Sequence, residues 1–243
     1  MLERILDYEH DAFIWLNSHH TPFENQFMWL FSGKVTWIPL VVVFVAALFY
    51  KNLKHWKETF LILAAIALVV TLCDQFSSGI CKPLFFRFRP THHPEFMDEV
   101  QTVFGYRGGS YGFISSHATN AFGFVTLTAL IFRYRFYSIM LCLWATVNSY
   151  SRIYLGVHFL SDIIPGIVAG SLFGWLVYRL YLFARKKLFA NDAALAGSGE
   201  ILPSIYARNR IDIILYMLIL TIAAMLILSL LSSINLIPAI TVK

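Results

Sequence analysis

Charge is scarce in this chain. Of its 243 residues, 14% are Asp, Glu, Lys or Arg and 58% are hydrophobic, with a mean hydropathy of +0.65. A soluble domain carries roughly a quarter charged residues, so a soluble fold is excluded in favour of a multi-spanning helical membrane protein. Cysteine is also rare. Cys73, Cys81 and Cys142 lie in or beside apolar runs without metal-ligand spacing, which excludes a disulfide framework and leaves small core residues. Neither an internal repeat nor a second domain is visible, and the first twenty residues lack the clean apolar core of a cleavable signal peptide. The net charge of +5 does not argue for nucleic acid in so apolar a chain. Its distribution is a topology signal instead.

The expected fold is all-α: a polytopic membrane bundle of about six spans behind an N-terminal amphipathic helix lying at the interface. Residues 1–32 hold that helix and a second amphipathic piece begun by Pro22. Spans are expected over about 35–50, 60–80, 118–132, 137–149, 158–183 and 211–231, with a polar linker over 184–210. Residues 35–183 form the core spans, 211–231 is an additional C-terminal span, and the whole of 1–243 reads as one domain. Gly166, Gly170 and Gly174 mark a face for close helix packing. Lysines 51, 54 and 57, arginines 133 and 135, and the basic residues of 185–210 fall on one side by alternation, which the positive-inside rule makes cytoplasmic. The polar stretch from Lys82 to Phe113 and the loop from Arg152 to His158 then face outward.

Three groups of polar residues share that outer side. His158 and Asp162 are four apart, so on one helix the carboxylate reaches the imidazole, fixes its tautomer and sharpens its other nitrogen as a nucleophile or base. Arg152, with Ser151 beside it, supplies a planar fork of donors suited to phosphate. Read blandly, these residues are a buried ion pair joining two helices, but ionisable groups at membrane depth default to function. Lys82, Arg87 and Arg89 add cations that could instead anchor anionic lipid. Ser115-Ser116-His117 opens a long apolar run, so its N–H groups sit at a helix start, either as an ordinary serine cap or as an anion site. Asp74, late in the second span, takes a supporting role beside a cation. Cations, an anion-binding helix end, one free histidine and one polarised histidine together meet the requirements of phosphoryl transfer.

Lys82-(six residues)-Arg89-Pro90, Ser115-Ser116-His117 and Ser151-Arg152-(five residues)-His158-(three residues)-Asp162 resemble, in order and spacing, the three-part signature of the type 2 phosphatidic acid phosphatases. That superfamily also includes the vanadium haloperoxidases, and the match runs from about Gln75 to Gly170. The resemblance implies that His158 is a nucleophile forming a phosphohistidine, with Asp162 orienting it. It implies that His117 is the general acid and then the base for water, and that Lys82, Arg89, Arg152, Ser115 and the Ser116 N–H hold the phosphate. Arg87, Asp74 and Ser151 are supporting residues on this reading. It implies no cofactor and no metal. One departure stands out: Ser116 occupies a position that is usually glycine in the family. The N-terminal helix is similar to that of bacterial undecaprenyl-diphosphate phosphatases of this family. The implied protein hydrolyses lipid phosphates or diphosphates at the outer face of a bacterial inner membrane. Candidate substrates are undecaprenyl diphosphate, phosphatidylglycerophosphate, phosphatidic acid and the lipid A phosphates, with undecaprenyl diphosphate favoured by architecture. A lipid phosphotransferase using the same phosphohistidine and an anion-binding transporter are the alternatives. The expected partner is lipid in the bilayer, with no nucleic acid and no protein partner.

Overall fold

The computed structural model describes residues 2–50, 56–188 and 208–241. Among the described residues there are nine α-helices and no strand. In chain order they are α1 (Leu2–Asn17), α2 (Pro22–Ser32), α3 (Ile38–Phe49), α4 (Trp56–Asp74), α5 (Lys82–Phe85), α6 (Ser116–Phe132), α7 (Arg135–Tyr154), α8 (Leu160–Leu188) and α9 (Arg208–Ser233). A π-helical turn, Gln75–Cys81, joins α4 to α5, so the helix runs unbroken over Trp56–Phe85. Extra turns of this kind concentrate at functional sites, and this one delivers Lys82.

By length and apolarity three helices can cross a bilayer: Trp56–Phe85, Leu160–Leu188 and Arg208–Ser233. A fourth span is reached if α2 and the segment Val35–Phe49, bent by 70°, count as one. The expected third and fourth spans fall short of this test. α6 has 17 residues, about 26 Å at 1.5 Å per residue, under the roughly 30 Å of a bilayer core. α7 has 20 residues but carries Arg135, Asn148 and Arg152. Both are shielded by neighbours, and a helix packed inside a bundle need be neither long nor apolar all round.

α6 is the central helix, packed on α4, α7 and α8. Its seam with α8 is the closest in the molecule. A Cβ placed on Gly170 would lie 2.2 Å from the Thr119 carbonyl oxygen, and one on Gly174 would lie 2.6 Å from that of Gly123. The expected packing face of small residues is therefore present, and it binds the helix bearing Ser116 and His117 to the helix bearing Asp162. α9, the additional helix, covers α2 and α3. After it the chain folds back, and the buried Gln26 amide clamps Ile240, donating to its carbonyl and accepting from its N–H, both at 3.0 Å.

Two boundaries differ from expectation. α7 continues to Tyr154 because its late polar residues are satisfied within the helix: Ser149 and Ser151 donate to the Ala145 and Asn148 carbonyls at 2.8 and 2.6 Å. α8 continues to Leu188, so Arg185 is buried within a helix rather than opening the linker. It pairs with Glu58 at 2.6 Å, and Tyr181 donates to the same carboxylate. The linker's residues 189–207 lie outside the described residues.

At the other end of the bundle α1 packs on α7 and α8, with Phe13 buried among Val100, Ile153, Phe159 and Ile163. Tyr8 and Trp15 remain exposed, while the side chains of residues 2–7 lie outside the described set. Asn17 closes this cap. Its amide donates to the Tyr154 carbonyl at 2.9 Å and the Gln101 carbonyl at 3.1 Å, and its oxygen accepts from the Gln101 N–H at 2.8 Å. One buried side chain thus satisfies a C-terminal carbonyl of α7 and fixes the long loop beside it.

Candidate active site

The candidate site residues come together where α5 ends, α6 and α8 begin, and α7 stops. Two residues past the end of α7 the chain turns at Gly156, whose φ of +74° suits glycine, and a Cβ there would lie 2.7 Å from a Val100 side-chain carbon. The Gly156 and Val157 N–H groups return to the Ile153 and Arg152 carbonyls at 2.8 and 3.0 Å. This reversal leaves His158 in the turn before α8, not on the helix with Asp162 as its spacing suggests. The two still meet: His158 Nδ1 lies 3.3 Å from Asp162 Oδ2, and both residues are buried. Asp162 occupies the third position of α8 and its Oδ2 accepts from the Phe159 N–H at 3.0 Å. That is the carboxylate half of a capping box, so one local bond starts the helix and aims the acid at the ring.

Nε2 of His158 faces Arg89, whose Nη1 is 3.5 Å away. Arg89 is buried and held by carbonyls, its Nε donating to Tyr111 at 3.0 Å and its Nη1 reaching Val157 at 3.4 Å. Arg152 is buried in the last turn of α7. Its Nη1 donates to the Ser32 hydroxyl of α2 and its Nη2 to the Tyr106 hydroxyl at 3.3 Å. Its Nε is buried and finds no hydrogen-bond partner among the described residues. An orphaned guanidinium N–H is costly unless an anion completes it.

Lys82 Nζ donates to Ser116 Oγ at 2.6 Å and to Ser78 Oγ at 3.1 Å, and the two hydroxyls lie 2.9 Å apart. Ser116, the departure from the family's glycine, therefore contributes a side chain that positions Lys82. Ser115 caps α6, its Oγ 3.5 Å from the Ala118 N–H, and its own N–H donates to the Asp162 carbonyl at 3.0 Å. His117, half-buried, follows in the first turn of α6.

Arg87 turns away from this cradle. Its Nη1 donates to Asp162 Oδ1 at 2.9 Å and to Ser161 at 2.5 Å, and its Nη2 to Glu9 at 2.5 Å. Glu9, from α1, also accepts from Ser161. Asp74 ends α4, close enough to Lys82 for its carboxylate to favour the charged ammonium, and the Ser151 hydroxyl is bonded within its own helix. Glu9, Ser32, Ser78 and Tyr106 bond the candidate residues directly and were not singled out in the sequence. Nor was Gly112. A Cβ there would lie 3.0 Å from Asp162 Oδ2 and 3.5 Å from His158 Nδ1.

Burial, and then Arg89, Arg152, Lys82 and Arg87, hold the His158 imidazole well below its ordinary 6.5. Burial and the nearby Arg152 bring Arg89 down to about 10. Both directions describe a crowded positive site that a phosphate dianion would relieve. Among the described residues no three His, Cys, Asp or Glu side chains converge as metal ligands. Chemically, the arrangement offers a neutral imidazole with its free nitrogen toward a ring of cations.

A sequence model of the PAP2 superfamily matches residues 58–186. The chain is 47% identical over 186 residues to a lipid A 4'-phosphatase of Porphyromonas gingivalis, covering 76% of this chain and 78% of that protein. It is 37% identical over 240 residues to a lipid A 4'-phosphatase of Bacteroides thetaiotaomicron, covering 96% and 100%. Among solved structures, a transmembrane PAP2-type phosphatidylglycerolphosphate phosphatase from Bacillus subtilis aligns with a TM-score of 0.54 at 22% identity, over 73% of this chain and 86% of that one. Aquifex aeolicus LpxE aligns with a TM-score of 0.50 at 21% identity, over 70% and 93%. At such identities the two structures speak to the fold.

Proposed function

The chain belongs to the PAP2 superfamily, and from that premise we propose that it is an integral membrane phosphatase removing a phosphate from a lipid, with the 4'-phosphate of lipid A the leading substrate. The substrate choice rests on the two relatives of that name, one of which aligns over its entire length. It displaces undecaprenyl diphosphate from first place. The observation that carries the chemistry is His158, buried, with Nδ1 on Asp162 and Nε2 toward Arg89.

On this reading Nδ1–H donates to Asp162 and Nε2 attacks phosphorus. Lys82, Arg89 and Arg152 hold the phosphoryl oxygens, with the α6 N-terminus at Ser115 and Ser116 adding backbone donors. As the P–O bond breaks, His117 gives its proton to the leaving sugar oxygen. His117 then takes a proton from water, whose oxygen attacks the phosphohistidine and releases inorganic phosphate. The Ser32 and Tyr106 hydroxyls hold Arg152 for this task, and Arg87 holds Asp162.

The whole chain acts as one domain on this proposal. α3, Trp56–Phe85, α6, α7, α8 and α9 form six spans, with α6 and α7 sheltered at the centre. On this proposal the site faces the periplasm of an inner membrane with α1 at that interface, a reading supported by the basic residues of the opposite side under the positive-inside rule.

The test is phosphate release from purified protein in detergent with chelator present, from lipid A, phosphatidylglycerophosphate, phosphatidic acid and undecaprenyl diphosphate. Lipid A is expected to be the best substrate. His158→Ala should lose at least about a thousandfold in rate while staying folded. Persisting turnover in His158→Ala would remove the phosphohistidine.

A further inference from the structure

Residues 86–89 alternate aromatic and basic side chains, and they pair antiparallel with residues 110–112. The Arg89 N–H donates to the Ser110 carbonyl at 3.0 Å, the Gly112 N–H to that of Arg87 at 2.9 Å, and Phe88 lies opposite Tyr111. Extended chains send successive side chains to opposite faces. Here Arg89 and Gly112 take the inner face, against His158 and Asp162, while Arg87 reaches Asp162 from the cleft that Phe86 and Phe88 also line. Phe86, Phe88 and Tyr111 take the outer face, with ring centroids 5.2 and 5.6 Å from Tyr111, and Phe85 and Phe113 meet at 4.7 Å beside them.

This outer face is left open. Phe85, Phe86 and Phe88 are 55%, 58% and 42% exposed. Phe86 sits at φ 48°, a left-handed conformation unfavourable for a bulky side chain. The patch lies past the end of Trp56–Phe85 and continues that helix's exposed apolar row, Ile80 and Leu84, up to the rim of the phosphate cradle. An adjoining cleft of about 720 Å³ is lined by Phe86 and Phe88 together with Arg87, Glu9, Asp11, Glu95 and Glu99.

We propose that this ribbon seats the substrate: its outer aromatic face takes the acyl chains of the lipid whose phosphate enters the cradle behind it. The assignment rests on the lipid-phosphatase reading above. Aromatic rings suit the position, since they pack hydrocarbon and tolerate the water interface.

The test compares the lipid that the parent protein cleaves best, in mixed micelles, with phenyl phosphate in water. Phe86→Ser/Phe88→Ser, changing exposed residues only, should raise KM for the lipid about tenfold while kcat stays within about twofold. Its kcat/KM on phenyl phosphate should be unchanged, and Phe86→Trp/Phe88→Trp should keep the parental lipid KM. An unchanged lipid KM in the serine variant, or equal losses on both substrates, would overturn the proposal. A parent protein active on phenyl phosphate but on no lipid would bring down the lipid-phosphatase reading itself, a result visible before any variant is made.

Discussion

Asp162 works in three directions. Oδ2 accepts from the Phe159 N–H and faces His158, Oδ1 takes Arg87, and its carbonyl accepts from Ser115 at the start of α6. Its neighbour His158 carries a pH signature. The folded imidazole titrates below 6.5 because it is buried among cations, so the unfolded chain binds the extra proton first. Stability from this group is complete above 6.5 and is lost as pH falls towards the folded value. The expected result is that wild type loses stability relative to His158→Ala as pH falls below 6.5, at up to roughly 1.4 kcal/mol per pH unit. Thermal unfolding of both proteins in detergent across that range measures it, and a parallel pair of curves would contradict it. The spacing of His158 and Asp162 announced their contact, although a turn and a capping bond produce it rather than a shared helix face. Ser32, 120 residues from Arg152, could not be read in advance, because a serine closing an amphipathic helix has no local mark of a distant guanidinium.

Among elements, the α6–α8 seam fixes the site's internal distances. Gly170→Ala would drive a methyl into the Thr119 carbonyl, and the backbone around it cannot yield without parting the two helices. A destabilisation of roughly 1–3 kcal/mol is expected, with activity falling further than the folded fraction, since Ser115 and Asp162 would separate. Parallel measurement of unfolding temperature and of turnover per folded molecule checks this. The four-residue glycine spacing made the seam legible in the sequence, as long apolar runs did for the spans over Trp56–Phe85 and Arg208–Ser233. Less legible were α6 and α7, because a helix enclosed by others can be short or polar, and burial is a property of the partners. The ends of α7 and α8 were missed for the same reason. Serines that bond their own turn and an arginine that finds Glu58 look like loop residues until their partners are placed.

Across the whole molecule, stability and chemistry are held at opposite ends. Glu58, Tyr181 and Arg185 form a buried polar group far from the cradle. Arg185→Ala would remove the cation that pairs Glu58 and leave it only the Tyr181 hydroxyl, at a cost of about 3–5 kcal/mol. Turnover of the molecules that remain folded should match wild type, which activity normalised to a folded-state probe would test. The catalytic end is built otherwise, from bonds that join distant parts of the chain. Glu9 takes Ser161 from 152 residues away, Arg152 finds Ser32 across 120, and Asn17 holds Tyr154 across 137. Order of synthesis follows from this. Asn17 and Ser32 can meet their partners only once the helix ending at Tyr154 is in place, and Glu9 only once the helix beginning at Leu160 has followed it. On the proposed reading a partly inserted chain therefore carries no complete cradle, and catalytic competence arrives only late in assembly.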